Sequence, residues 1–270
     1  MSKMKLIVRI ATVAVAGVMF GCTGASLESP ATTQPALPPQ VKNIVLVHGA
    51  FADGSSWSKL IPLLESKGYH ITAVQNPVTS LADDVAMTKR AIALQNGPVI
   101  LVGHSWGGAV ITQAGNDPKV AGLVYVAAYA PEEGQSANDA STPFGVTPGQ
   151  KQIRVDPSHF AYMTEEGIVE DFAQGLPMSE RREVLAVQGL DYGPAFDDKL
   201  TVAAWKSKPA WYVVASNDRM LPSAMEMDAA QKMKATTTIL PTCHLAMLEQ
   251  PEKVADVIDD AARHAIQQKQ

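Results

Sequence analysis

The chain has 270 residues, 46% of them hydrophobic and 18% charged, with a formal net charge of −5. That length and balance suit one large α/β domain with an ample core. Lys3, Lys5 and Arg9 cluster at the N-terminus, so the remaining body is more acidic still; it is repelled by phosphate backbones, and no nucleic acid is expected as a partner.

Residues 1–22 read as an export signal. "MSKMKLIVR" is basic, "IATVAVAGVMF" is apolar but short for a bilayer span, and Gly21-Cys22 follows. A cysteine after a small residue at the end of such a region resembles a bacterial lipoprotein signal, in which the cysteine is lipidated. Met19 and Phe20 depart from that pattern, and an ordinary secretory signal cleaved near Ala25 is the alternative. Either way export is expected, with a membrane reached only through an anchor at Cys22. Residues 23–41, rich in Pro, Thr, Ala and Ser and without apolar period, read as a tether. Cys243 is then left unpaired, and no disulfide framework is expected.

From residue 42 to 270 the pattern alternates between β-branched runs and amphipathic ones. "NIVLVHG" (43–49) predicts a buried strand. "WSKLIPLLESKG" predicts a helix with Trp57, Leu60, Ile61 and Leu64 on one face, starting late or bending at Pro62. "HITAVQ" is a second strand. "SLADDVAMTKRAIALQNG" is a helix aligned through Leu81, Val85, Thr88 and Ile92, capped by Ser80 and stopped at Gly97. "PVILVGHS", its helix "WGGAVITQAGND" and the strand "VAGLVYVAAYA" follow. "PAWYVVAS" and "TTTILP" complete a mostly parallel six-stranded sheet, and "PEKVADVIDDAARHAIQQ" closes as a helix. Helices on both faces are expected, with a helical cap insertion over about 131–208. In such sheets the site lies beyond the carboxyl ends of the strands, in the loops starting at Gly49, Gly103, Ser216 and Pro241.

Gly103-His104-Ser105-Trp106-Gly107 fits G-x-S-x-G between an apolar strand and a helix. A turn that sharp needs glycine flanks and projects Ser105 above the sheet, beside the positive end of the next helix. A serine hydroxyl needs a base and an orienting acid, following it in the order acid, His. His244 lies beyond the last strand and Asp218 beyond the one before it. Asp218 also reads as a cap for a helix near Pro222, with Glu132, Glu133 and Asp139 as fallback acids. His48 and His104 read as packing beside the site, and His70, His159 and His264 as ordinary surface or core residues. Phe51 or Ala50, with Trp106, are the expected oxyanion donors through their backbone N–H groups. Neither glycine-rich loop has the Lys-Ser/Thr ending of a phosphate cradle. No cofactor is expected, and no metal-ligand cluster is visible.

"VLVHGAFADGSSWSKLIPLLESKGYHITAV", "VGHSWGGAVI", "SNDRMLP" and "CHLAMLEQPEKV" resemble the α/β-hydrolase superfamily, in particular its branch of plant methylesterases and hydroxynitrile lyases. The resemblance covers about 42–131 and 209–262. It implies the α/β-hydrolase fold, a Ser105–Asp218–His244 triad, and an oxyanion hole at Ala50 or Phe51 with Trp106. The lyases carry Lys and Thr where this chain has Leu245 and Gly49, which favours an esterase. Trp106 is bulkier than the family's usual residue. Leu245, Tyr129 and Phe160 are expected at the substrate pocket, and Phe144, Tyr162, Met163, Phe172, Met178, Tyr192 and Phe196 are further lining candidates from the cap. With no Arg or Lys standing out as a carboxylate clamp, the expected substrate is a small, neutral, apolar ester. The alternatives are thioester or carbon–carbon hydrolysis, perhydrolysis, or noncatalytic binding of small hydrophobic ligands.

Overall fold

The computed structural model describes residues 40–266. The expected export signal, Cys22 and the expected tether up to residue 39 lie outside them. The fold begins earlier than the composition suggests: Val41 is fully buried, and its N–H donates to the Ala262 carbonyl at 2.9 Å. A single apolar residue ending a Pro-rich run carries no period, so its docking is invisible in sequence.

Among the described residues nine strands form in chain order: β1 (Asn43–Val47), β2 (His70–Val74), β3 (Val99–Ser105), β4 (Val120–Ala128), β5 (Ile153–Val155), β6 (Phe160–Met163), β7 (Asp191–Tyr192), β8 (Ala210–Ala215) and β9 (Thr236–Leu240). Six make one parallel sheet in the order β2-β1-β3-β4-β8-β9. The inner strands β1, β3, β4 and β8 are buried along their whole length and are almost unbroken apolar runs. The edge strands β2 and β9 are partly exposed, which is why "TTTIL" tolerates three threonines.

The helices are α1 (Leu60–Ser66), α2 (Leu81–Ala93), α3 (Trp106–Ala114), α4 (Ala137–Ser141), α5 (Glu165–Gly167), α6 (Met178–Val187), α7 (Ser223–Met233), α8 (Ala246–Glu249) and α9 (Pro251–His264). Helix α2 packs on α3 and α1 on α9, the two pairs covering opposite faces of the sheet. Helix α1 starts at Leu60, so Pro62 falls in the first turn, where its missing N–H deprives no carbonyl. The Ser80 hydroxyl caps α2 by accepting from the Asp83 N–H.

Between β4 and β8 the chain builds a cap from α4, α5, a π-helical turn at Ile168–Phe172, α6 and a three-stranded antiparallel sheet, β5-β6-β7. These strands have two to four residues each, too few for an alternation to register in sequence. After β2 the chain crosses back to place β3 on the far side of β1. Strand order therefore reverses between β1 and β3, and a crevice opens beyond their carboxyl ends.

Candidate active site

Ser105 ends β3 and precedes α3 with φ 51° and ψ −120°, a conformation that costs a β-carbon-bearing residue about 1–3 kcal/mol. Its neighbours explain how the turn closes. A β-carbon on Gly107 would lie 2.3 Å from the Val47 carbonyl, and one on Gly103 would lie 2.6 Å from that of Gly107. The first turn of α3 thus presses directly onto β1. Ser105 is 7% exposed and lies on the wall of a cavity of about 550 Å³.

His244 and Asp218 come together from the loops after β9 and β8. His244 Nδ1 is 2.6 Å from Asp218 Oδ2, and both side chains are buried. Asp218 Oδ1 accepts the N–H groups of Met220 (2.6 Å) and Leu221 (2.9 Å). Asp218 therefore holds its own turn, while helix α7 starts after Pro222 with no side-chain cap. The fallback acids lie elsewhere: Glu132 pairs with Lys206 at 3.1 Å, Asp139 caps α4 and pairs with Lys199, and Glu133 is exposed.

Strand β9 lies three places from β3, so the His244 loop must reach back across the sheet. It is fixed there by His104, whose Nε2–H donates to the His244 carbonyl at 3.0 Å with the two rings 4.6 Å apart. Full burial, with His244 and His48 nearby, holds the His104 imidazole well below its usual range and therefore neutral. Phe172 of the cap closes the other side of His244, its ring 5.2 Å away. Among the described residues no hydrogen bond joins the Ser105 hydroxyl to His244, a contact that commonly tightens only around bound substrate.

The loop after β1 is set by His48, whose Nε2 accepts the Asn76 N–H at 2.9 Å while Nδ1–H donates to the Gly49 carbonyl at 2.8 Å. Of the two expected donors in this loop, one is occupied. The Phe51 N–H donates to Asp191 Oδ2 of β7 at 2.7 Å. The Ala50 N–H meets no acceptor among the described residues, and Trp106 N–H opens α3. Ala50 with Trp106 is therefore the open pair, and Phe51 is corrected to an anchoring point for the cap. Burial, reinforced by Asp84, pushes the Asp191 carboxyl up to about 7. Asp84 is itself buried, raised to about 6 mainly by desolvation, and accepts from the Trp106 indole N–H at 2.6 Å and the Val78 N–H at 3.0 Å. The bulk of Trp106 thus turns away to Asp84, its ring against Phe196 at 4.7 Å.

Ala50, Phe51, Ser105, Tyr129, Phe172 and Phe196 line the cavity, together with Val146, Ile153, Val155, Met220 and Leu221. Asn138, Ser141, Thr142 and Gln150 add neutral polar groups, and no described lining residue is charged. Two expected lining residues are not there. Phe160 points into the cap, packing on Tyr192 at 5.4 Å, and Leu245 borders a separate depression beside Lys59 and α6. Tyr162 and Met178 are exposed, and Met163 is buried in the cap's own core.

A strained serine turn after the third strand, with an acid and a histidine supplied beyond the last two, defines an enzyme of the α/β-hydrolase class. The family model described as "Alpha/beta hydrolase family" matches residues 44–257, and the chain belongs to that family. It is 26% identical over 250 residues to a pyrethroid hydrolase of Sphingobium wenxiniae, covering 82% of this chain and 88% of that one. It is 24% identical to an α-hydroxynitrile lyase of Arabidopsis thaliana, over 82% and 96% of the two chains. A crystal structure of a pyrethroid hydrolase from Sphingobium faniae superposes with a TM-score of 0.70 at 24% identity, over 82% and 97%.

Proposed function

We propose that the chain is a serine hydrolase cleaving small, neutral, apolar carboxylic esters through an acyl-enzyme on Ser105. The observation that carries this reading is the Asp218 carboxylate on His244 Nδ1 at 2.6 Å, behind a strained serine that faces an uncharged cavity. Asp218 accepts a hydrogen bond from His244 Nδ1–H, which keeps the proton on Nδ1 and leaves the lone pair of Nε2 free for the Ser105 proton. Serine Oγ then bonds to the ester carbonyl carbon, and the carbonyl oxygen takes the negative charge between the N–H groups of Ala50 and Trp106. The imidazolium returns its proton to the alkoxide as the ester C–O bond breaks. Water, deprotonated by His244, repeats the sequence on the acyl-enzyme and releases the acid.

Similarity to a protein named as a pyrethroid hydrolase supports hydrolysis as the reaction class. Two local features favour it over cyanide release. At Gly49, where the lyases carry Thr, a β-carbon would sit 2.6 Å from that of Ser105, and Leu245 leaves no ammonium beside His244. Ser105→Ala is expected to remove the burst of p-nitrophenol from a p-nitrophenyl ester and to cut turnover by several orders of magnitude. A variant that keeps its burst would overturn the reading. We further propose export, with Cys22 as the point of lipid attachment, on the strength of the signal in residues 1–22 alone.

A further inference from the structure

A buried acid stands directly behind the acid–histidine pair. Glu226, in the first turn of α7, is 0% exposed, and its Oε2 accepts the Ala215 N–H at the end of β8 at 3.0 Å. Its other oxygen, Oε1, has no donor among the described residues, and the Glu226 carboxyl lies within hydrogen-bonding reach of the Asp218 carboxylate. Two carboxylates in contact inside a protein cannot both stay ionised, so they share one proton. Donor count decides where that proton sits. Asp218 collects three donors, from Met220, Leu221 and His244, whereas Glu226 collects only Ala215. The acid with fewer donors keeps the proton and can donate it.

We propose that Glu226 is a positioning residue: as a neutral carboxylic acid it donates a hydrogen bond to Asp218, holding that carboxylate in the orientation His244 requires. The inference rests on the reading of Ser105, His244 and Asp218 above. It adds a fourth member to the chain, one that touches neither substrate nor the reacting atoms. Burial first, and the neighbouring Asp218 charge second, hold the Glu226 carboxyl well above the usual carboxylate range. The other titratable group facing it is Tyr212 of β8, whose hydroxyl donates to the Ala128 carbonyl and whose ring stacks on Tyr125 of β4. Burial raises both tyrosine hydroxyls, so both stay neutral at neutral pH and add no further charge beside Glu226. Ionising Glu226 removes that donor and sets a second negative charge against Asp218, so the carboxylate is no longer held in that orientation.

The experiment compares kcat, KM and pH profiles on a p-nitrophenyl ester for the whole protein and two variants, each with its melting temperature. Glu226→Met, close in shape but unable to donate, is expected to lower kcat roughly 10- to 100-fold with KM little changed. Glu226→Gln can accept from Ala215 and donate to Asp218. It is expected to retain most of kcat at neutral pH and to hold it on the alkaline side, where the wild type declines as Glu226 ionises. A folded Met variant with wild-type kcat overturns the proposal. If the Met variant does not fold, the Gln profile decides alone: an alkaline decline identical to wild type overturns it. Ser105→Ala run alongside separates the two readings. Activity surviving in that variant overturns both, whereas loss of activity there with wild-type behaviour in both Glu226 variants overturns the Glu226 role only.

Discussion

Asp218 performs two duties that one substitution can separate. Asp218→Asn keeps an oxygen for the Met220 and Leu221 N–H groups, so the turn before α7 should hold and the melting temperature change little. The other face of the side chain changes: an amide donates to His244 Nδ1, stabilises the wrong tautomer and removes the charge. A kcat loss of up to about 10⁴-fold is expected. Near-normal kcat in a folded variant would remove Asp218 from the mechanism. Residue by residue, what the sequence revealed was position along the fold: Ser105, Asp218 and His244 each follow a strand, where an apolar run gives way to a polar residue. The free oxyanion donor was less legible, because its choice depends on Asp191 arriving from 140 positions away. Asp84 and Glu226 did leave a signal. Asp84 shares the buried stripe of Leu81, Val85, Thr88 and Ile92, and Glu226 shares that of Ala230 and Met233. An acid on an apolar helix face is either paired or held neutral, and both of these sit at the site.

At the scale of elements, the cap is fastened to the core by polar contacts at its margins. Strand β7 gives Asp191 to the Phe51 N–H and takes the Val78 carbonyl on the Tyr192 N–H at 2.8 Å; Asp171 of the cap pairs with Arg219 at 2.6 Å. Asp191 and Asp84 are carboxyls with raised folded-state values, so each binds its proton more tightly folded than unfolded. Their contribution to stability is greatest below about pH 4, and is lost as pH rises through about 6 for Asp84 and about 7 for Asp191. For Asp191 alone the loss is up to about 4 kcal/mol. Asp191→Asn still accepts from Phe51 but does not ionise, so urea midpoints between pH 5 and 8 should decline less steeply than in the wild type. Parallel slopes would show that Asp191 does not titrate in this range. The main strands and helices were legible because burial on two faces, or on one stripe, writes a period into the chain. The cap sheet was not, since "IRV", "FAYM" and "DY" are too short to show an alternation, and the last is paired from far along the chain, Phe160 with Tyr192.

Over the whole molecule, the reversal of strand order between β1 and β3 puts the Gly49–Phe51 loop and the Ser105 turn side by side, and the cap roofs them with an uncharged cavity. The proposed anchor rests on the sequence of residues 1–22 alone. If Cys22 carries lipid, the wild type should partition into detergent and Cys22→Ser should not; equal solubility of the two would favour plain secretion. The central claim is covalent chemistry at Ser105, and the most direct test is mass spectrometry after treatment with a fluorophosphonate. One phosphonyl adduct per chain is predicted, mapping to the peptide that contains "VGHSWGG" and absent from Ser105→Ala. An unmodified wild type of proven fold, or an adduct that persists in Ser105→Ala, would contradict the account.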